Sequence, residues 1–294
     1  MTMKKIFLII LIINSNLFSQ ELTPTKLDSV KQINFDILNT KIDGKKFAIF
    51  GGATLAFGIG AHLYQGEDWW FHDRGKFKIV NDGWFDNYAL GQDKIGHFLG
   101  TYLLAYYFKY GLDYSNFSLS KQYHYSSLFA ILYELYIEVN DGFSKTYGFS
   151  QSDFISDVAG SSYNLMQYYI PYLNNFQPRF SYKWNKKLIG GPKQANLFDD
   201  YDNSRYWISL RMKNILPNFL AEYWPKILMV SIGSGLINNG KPVREVVVAL
   251  DIDANELPIN GSFGNLVKYV LNSLHFPLPG FKVKPEFKFV AFTF

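Results

Sequence analysis

Three apolar segments of this chain carry carboxylates along one helical face each, and the cost of burying those charges limits how the segments can assemble. Asp93 and His97 are four residues apart and share a helix face that Gly100 and Thr101 continue. Glu134, Glu138 and Asp141 form a second stripe at i, i+4 and i+7, within and just beyond the apolar run Tyr125 to Val139. Asp153, Asp157, Gly160 and Asn164 form a third, on a segment that opens with the capping-box-like Ser150-x-x-Asp153. If the three faces turn inward, six carboxylates meet one imidazole, with Lys94 and Lys145 as candidate cations. Clustered carboxylates in a low-dielectric interior lose hydration and repel one another. Either these faces meet water, or protons, a cationic side chain or a metal neutralises them.

Two readings of the stripes follow. One is a hydrogen-bonded structural network between helices. The other is a divalent-metal or catalytic site drawn from Asp93, His97, Glu138, Asp153 and Asp157, because one imidazole with several carboxylates suits zinc, manganese or non-haem iron. A water activated by such an ion attacks an ester or phosphoester, with a spare carboxylate as base. Acidic and histidine residues at i, i+4 also arise on ordinary helix surfaces, and no HExxH pattern accompanies them. The chain shows no GxSxG elbow, no GxxxxGK[ST] loop and no GxGxxG after a strand, so neither a serine hydrolase nor a nucleotide site is expected. A net charge of +4 does not suggest a nucleic-acid partner. The absence of cysteine removes disulfides, thiolate ligands and thiol nucleophiles.

The rest of the chain organises around these stripes. Lys4 and Lys5, the apolar run Ile6 to Ile13 and the polar stretch ending Ser19-Gln20 have the order of a secretory signal peptide, so residues 1–19 are expected to be removed on export. Residues 20–45 read as a linker. From Phe47 to Gly66 no residue is charged, and Lys45-Lys46 and Glu67-Asp68 bracket the run. A helix of about twenty residues spans about 30 Å, the thickness of a hydrocarbon core; a buried helix of a soluble bundle reads the same way. Residues 67–92 form an aromatic-rich loop with Trp69, Trp70, Phe71, Trp84 and Phe85. The pattern then predicts a bundle of about four apolar helices over 46–175, followed by a strand-rich region over 176–294: an α+β chain.

In that second region Tyr206, Ile208 and Leu210 alternate with Trp207, Ser209 and Arg211, and Val246, Val248 and Leu250 alternate with Val247, Ala249 and Asp251. Lys282 to Lys288 reads as a third strand and Lys226 to Ile232 as a fourth. One amphipathic helix, with Phe263, Leu266, Val267, Val270, Leu271 and Leu274 on one face, interrupts them before Pro277 and Pro279. The alternation up to the terminal Phe294 suits an edge strand of a small sheet or the last strand of an outer-membrane barrel.

Asp93-Lys94-Ile95-Gly96-His97-Phe98, then Glu138 with Asp141-Gly142-Phe143-Ser144, then Gly148-Phe149-Ser150-Gln151-Ser152-Asp153 with Asp157 and Gly160, resemble an uncharacterised family described as a predicted periplasmic lipoprotein, itself distantly similar to VanZ-like membrane proteins. The resemblance covers about residues 85–175 and implies a small helical bundle in the cell envelope, with no established reaction. Two departures stand out. The lipoprotein label requires a lipobox cysteine, which this chain lacks. The family often has Asn where Asp157 stands.

The expected protein is thus an exported cell-envelope protein, periplasmic or membrane-associated at the inner or outer membrane, with membrane lipid or an envelope protein as partner. Its polar interior is structural in one reading. In the other it serves a metal-assisted hydrolase or transferase acting on a lipid or other amphiphile.

Overall fold

The computed structural model describes residues 40–85, 89–183, 200–238 and 241–294. The expected signal peptide and residues 20–39 of the expected linker lie outside these residues; the linker's last residues cap and begin the first helix. The described residues mix helix and strand, with a helical N-terminal region, a C-terminal six-stranded antiparallel sheet and seven α-helices in all.

The first helix, α1 (Gly44–Gln65), starts at Asp43, whose carboxylate accepts from the Lys45 and Lys46 backbone N–H groups. It touches its neighbours through rings near each end: Phe50 packs edge-on against Phe108 at 4.9 Å, and His62 stacks on Trp70 at 5.7 Å. Between them its apolar side chains point outward. A π-helical turn (Gly66–Trp70) follows and buries Trp70 completely. Strand β1 (Ile79–Val80) pairs in parallel with β2 (Phe149–Ser150) and draws the loop before α2 against the start of α4.

Helices α2 (Gln92–Tyr114), α3 (Leu119–Gly142) and α4 (Gln151–Tyr169) pack against one another. Gly91 precedes α2 with φ +76°, a left-handed conformation that glycine adopts without strain. Where α2 and α4 lie closest, a Cβ on Gly160 would come within 2.1 Å of the Phe98 carbonyl oxygen. That approach is what lets the polar faces of the two helices meet.

The sheet runs β3 (Phe176–Tyr182), β4 (Ser204–Leu210), β5 (Leu228–Asn238), β6 (Pro242–Ile252), β7 (Gly280–Lys284) and β8 (Lys288–Val290), each antiparallel to the next. Short helices α5 (Met212–Ile215) and α6 (Asn218–Ala221) join β4 to β5, and α7 (Gly261–Leu271) lies between β6 and β7. The stretch expected as one strand over Lys282 to Lys288 is two, because Pro285 cannot donate to the ladder and the chain reverses there. Leu99, Tyr102 and Tyr106 of α2 pack on Tyr206 of β4, forming the core between helices and sheet. Gln92 adds two hydrogen bonds to Ser234, at 2.8 and 2.9 Å.

Away from α2 the sheet reverses the usual arrangement. Its inward side carries Arg179, Ser209, Ser231, Glu245 and Asp251, all fully buried, while Ile232, Phe281 and Phe289 face out. Arg179 Nη1 lies 3.0 Å from Asp251 Oδ2, and Ser209 and Ser231 donate to that same oxygen at 2.6 and 2.9 Å. His275 Nδ1 lies 3.1 Å from it, and the His275 ring stacks on Trp207 at 3.6 Å. Glu245 pairs with Arg205 and Lys282. The apolar face of α7 likewise points away from the protein: Phe263, Leu266 and Val270 are exposed, and α7 is held by Tyr269, which stacks on Tyr106 at 3.9 Å.

Two predictions follow from these contacts. Burial alone would raise the Asp251 pKa, but the His275 ring, the Arg179 charge and the Ser209 hydroxyl outweigh it and hold the carboxyl at about 2. A carboxyl with a depressed folded pKa stabilises above its unfolded value, so this contribution, about 2 kcal/mol, is present above about pH 4 and lost as pH falls toward 2. Asp251→Asn is expected to flatten that acid limb in unfolding measured from pH 6 to 2. It also leaves Arg179 without its anion and costs about 3–5 kcal/mol at neutral pH. Separately, Gly160→Ala is expected to destabilise by about 1–3 kcal/mol through overpacking. Gly100→Ala, whose Cβ meets nothing within 4 Å, is expected to be neutral or slightly stabilising in the same denaturant titration.

Candidate functional site

The site forms where the first turns of α2 and α4 meet the last turns of α3. Ser150 caps α4 by accepting from the Asp153 backbone N–H at 3.2 Å. Its own backbone N–H donates to Glu138 Oε2 at 2.9 Å, tying α3 to the start of α4. Asp93 and Asp153 each occupy the first turn of a helix, where the positive end of the helix dipole favours a carboxylate.

Two adjacent groups result. In one, Lys94 is surrounded by carboxylates: its Nζ lies 2.6 Å from Asp153 Oδ1 and 3.0 Å from Asp93 Oδ2, and it also pairs with Asp82. Asp82 further accepts from the Ser150 and Ser152 hydroxyls at 2.8 and 2.7 Å. In the other, His97 Nδ1 lies 3.1 Å from Asp157 Oδ1, which also accepts from the Thr101 hydroxyl at 2.8 Å. Ligand atoms of His97, Glu138 and Asp157 lie within 4.8 Å of one another. Asp153 stands between the groups, its Oδ1 3.6 Å from His97 Nε2.

The charges are tuned accordingly. Burial pushes the Glu138 carboxyl up to about 8, with Asp153 and Asp157 adding to the rise and His97 opposing it. The neighbouring Glu134, partly buried on the same helix, is also raised, first by burial and then by Asp157. Burial works to lower the His97 pKa, yet the hydrogen bond with Asp157 and the charges of Asp157, Asp153 and Glu138 raise it well above its ordinary value. Burial is the largest influence on Lys94 too, and Asp153 and Asp82 overcome it to raise its pKa, so the amine stays charged.

All five residues singled out from the sequence, Asp93, His97, Glu138, Asp153 and Asp157, lie in these two groups. Lys94 is a cation of the cluster; Lys145 is not, and sits in the loop before β2 with its carbonyl accepting from Lys78 Nζ at 2.6 Å. Asp141 is engaged elsewhere, its Oδ1 accepting from the Trp70 indole at 2.5 Å. Asn164 lies deeper along α4 and donates to Ser126 and Ser127 of α3. Asp82 has no periodic signal in the sequence. The β1–β2 pairing, with the Lys78 N–H to Gly142 carbonyl bond and the Ser150 and Ser152 hydroxyls, brings its loop to the cluster.

Residues 81–169 match the family described as predicted periplasmic lipoprotein (DUF2279). The matched stretch runs from the Asp82 loop through α4 and contains every residue of both groups; the six-stranded sheet lies outside it. That description is consistent with export to the cell envelope. The chain contains no cysteine, so the acylation implied by the word lipoprotein has no acceptor residue within it. No curated protein and no solved structure matches the chain.

Lys94→Met is expected to cost about 3–5 kcal/mol in a denaturant titration, because it leaves three carboxylates around a buried point without their cation. Lys94→Arg is expected to keep more than half of the lost stability. A loss below about 1 kcal/mol for Lys94→Met would mean that the carboxylates are hydrated.

Proposed function

We propose that the chain is an exported cell-envelope protein that enters a membrane through α1, with α2–α4 and the sheet seated against that membrane. One observation carries the reading. The 22 residues of α1 include an apolar stretch of which nothing is buried, with Leu55 66%, Phe57 63% and Ile59 53% exposed. As a helix this segment is about 33 Å long, matching a hydrocarbon core. Water on such a surface is costly, at about 25 cal/mol per Å² of apolar area. Supporting it are the outward apolar faces of α7 and of the sheet, where Phe263, Phe281 and Phe289 are exposed, and the family's periplasmic description.

In this reading α1–α4 form one bundle of apolar helices over residues 46–175, and 176–294 form a strand-rich unit covering one side of it. Among the described residues only α1 spans; α2–α4 bury Asp93, Lys94, Glu138 and Asp157 in the protein interior. The cluster around Lys94 and His97 is a structural network that fixes the register of α2, α3 and α4. The likeness of the motif order to VanZ-like membrane proteins is part of this proposal. A second reading, metal-assisted hydrolysis or transfer on a lipid or other amphiphile, draws on the three ligand atoms from three helices within 4.8 Å of one another.

The test is extraction of membranes from cells expressing the full chain. The protein is expected to stay in the pellet after alkaline carbonate. A variant with Leu55, Phe57 and Ile59 all replaced by Lys is expected to move to the soluble fraction. Release of the unaltered chain by carbonate would overturn membrane insertion and point instead to an envelope protein covering α1.

A further inference from the structure

We propose that His97, Glu138 and Asp157 bind one divalent transition-metal ion, of the zinc or manganese class. Each residue comes from a different helix, α2, α3 and α4, so the site exists only when the three are packed. Ligands about 2.1 Å from an ion lie about 3–4 Å from one another. Side-chain shifts of about 1 Å therefore close the trio, whose ligand atoms already lie within 4.8 Å.

Two observations separate this trio from an ordinary acidic cluster. The first is Asp157, a fully buried carboxylate whose Oδ2 has no hydrogen-bond partner while Oδ1 is held by Thr101 and His97. An unsatisfied buried carboxylate oxygen costs more than a neutral group does, and a cation satisfies it directly. The second is the contrast with the group next door. Asp82, Asp93 and Asp153 are equally close together, but the Lys94 ammonium already occupies their centre. Among the described residues no Lys or Arg pairs with Glu138 or Asp157. The protein has placed a lysine ammonium in one acidic cluster and, in the other, a histidine, which neutralises Asp157 while protonated and becomes a ligand when a metal displaces that proton.

The donor set selects the ion. One nitrogen and two carboxylates favour zinc, manganese or ferrous iron over calcium and magnesium, which prefer all-oxygen sites. Surrounding contacts resemble the outer support of a metal centre. Ser150 N–H orients Glu138, Thr101 orients Asp157, and Asp153 lies 3.6 Å from the remaining imidazole nitrogen. The inference stands on this geometry and is independent of membrane insertion, so carbonate extraction and metal binding can fail separately.

The test uses the purified full chain with any affinity tag removed, stripped with chelator and dialysed. Calorimetric titration with zinc chloride and manganese chloride is expected to show one equivalent bound, with magnesium and calcium at least about 100-fold weaker. Glu138→Gln and Asp157→Asn, which keep side-chain volume, are expected to weaken binding at least about 100-fold with an unchanged far-UV circular dichroism spectrum. His97→Ala is expected to do the same. Asp153→Asn, an orienting contact, is expected to weaken it about tenfold. No stoichiometric uptake by the unaltered chain would overturn the proposal. So would undiminished uptake by both the folded Glu138→Gln and Asp157→Asn variants. If one of these variants fails to fold, the other decides.

Discussion

Charge brought into the interior between helices governs this structure. Asp93, Glu138 and Asp157 are all buried, and removing a carboxylate from water is tolerable only where something neutralises it. The protein does so by position. Lys94, one residue after Asp93, swings its ammonium into a cage of three carboxylates, and His97, one turn further on, reaches Asp157. Burial also pushes the Glu138 carboxyl up, toward its neutral form. Each neutralising group sits on a different helix from at least one of its partners, so the electrostatics and the packing of α2, α3 and α4 are one constraint.

The sheet obeys the same rule with different residues. Arg179 and His275 flank Asp251, and Arg205 and Lys282 flank Glu245, each acid fully buried on the inward side. Ionic groups inside and Phe281, Phe289 and Ile232 outside make an inverted sheet. Such a distribution costs least where the outer face is not in water. The bare flank of α1 and the exposed apolar face of α7 present the same kind of surface, so three separate elements turn apolar side chains outward.

Much of the candidate site is legible from spacing alone. A period of 3.6 residues puts Asp93 with His97, and Asp153 with Asp157, on single helix faces whatever the tertiary fold. What spacing does not carry is partner choice. Asp141 lies on the same stripe as Glu138 but meets the Trp70 indole instead, and Asp82 arrives from a loop whose path depends on a two-residue parallel pairing. In the sheet, alternation identifies strands without saying which side faces in. Trp207 and Ser209 are inward, where they bond to Ser181 and Asp251, and Ile208 is not. Pro285, which divides β7 from β8, was readable as a strand breaker; the run of lysines alternating with Phe281, Val283 and Phe287 masks it.

The central claim is that side chains from separate helices meet inside the protein. Its most direct measurement is a double-mutant cycle on His97→Gln and Asp157→Asn, read as unfolding free energy in chelator. The account predicts a coupling energy of about 1–3 kcal/mol between the two positions, as for groups in one buried network. Additivity to within about 0.5 kcal/mol would show that the two side chains do not meet, and would contradict it.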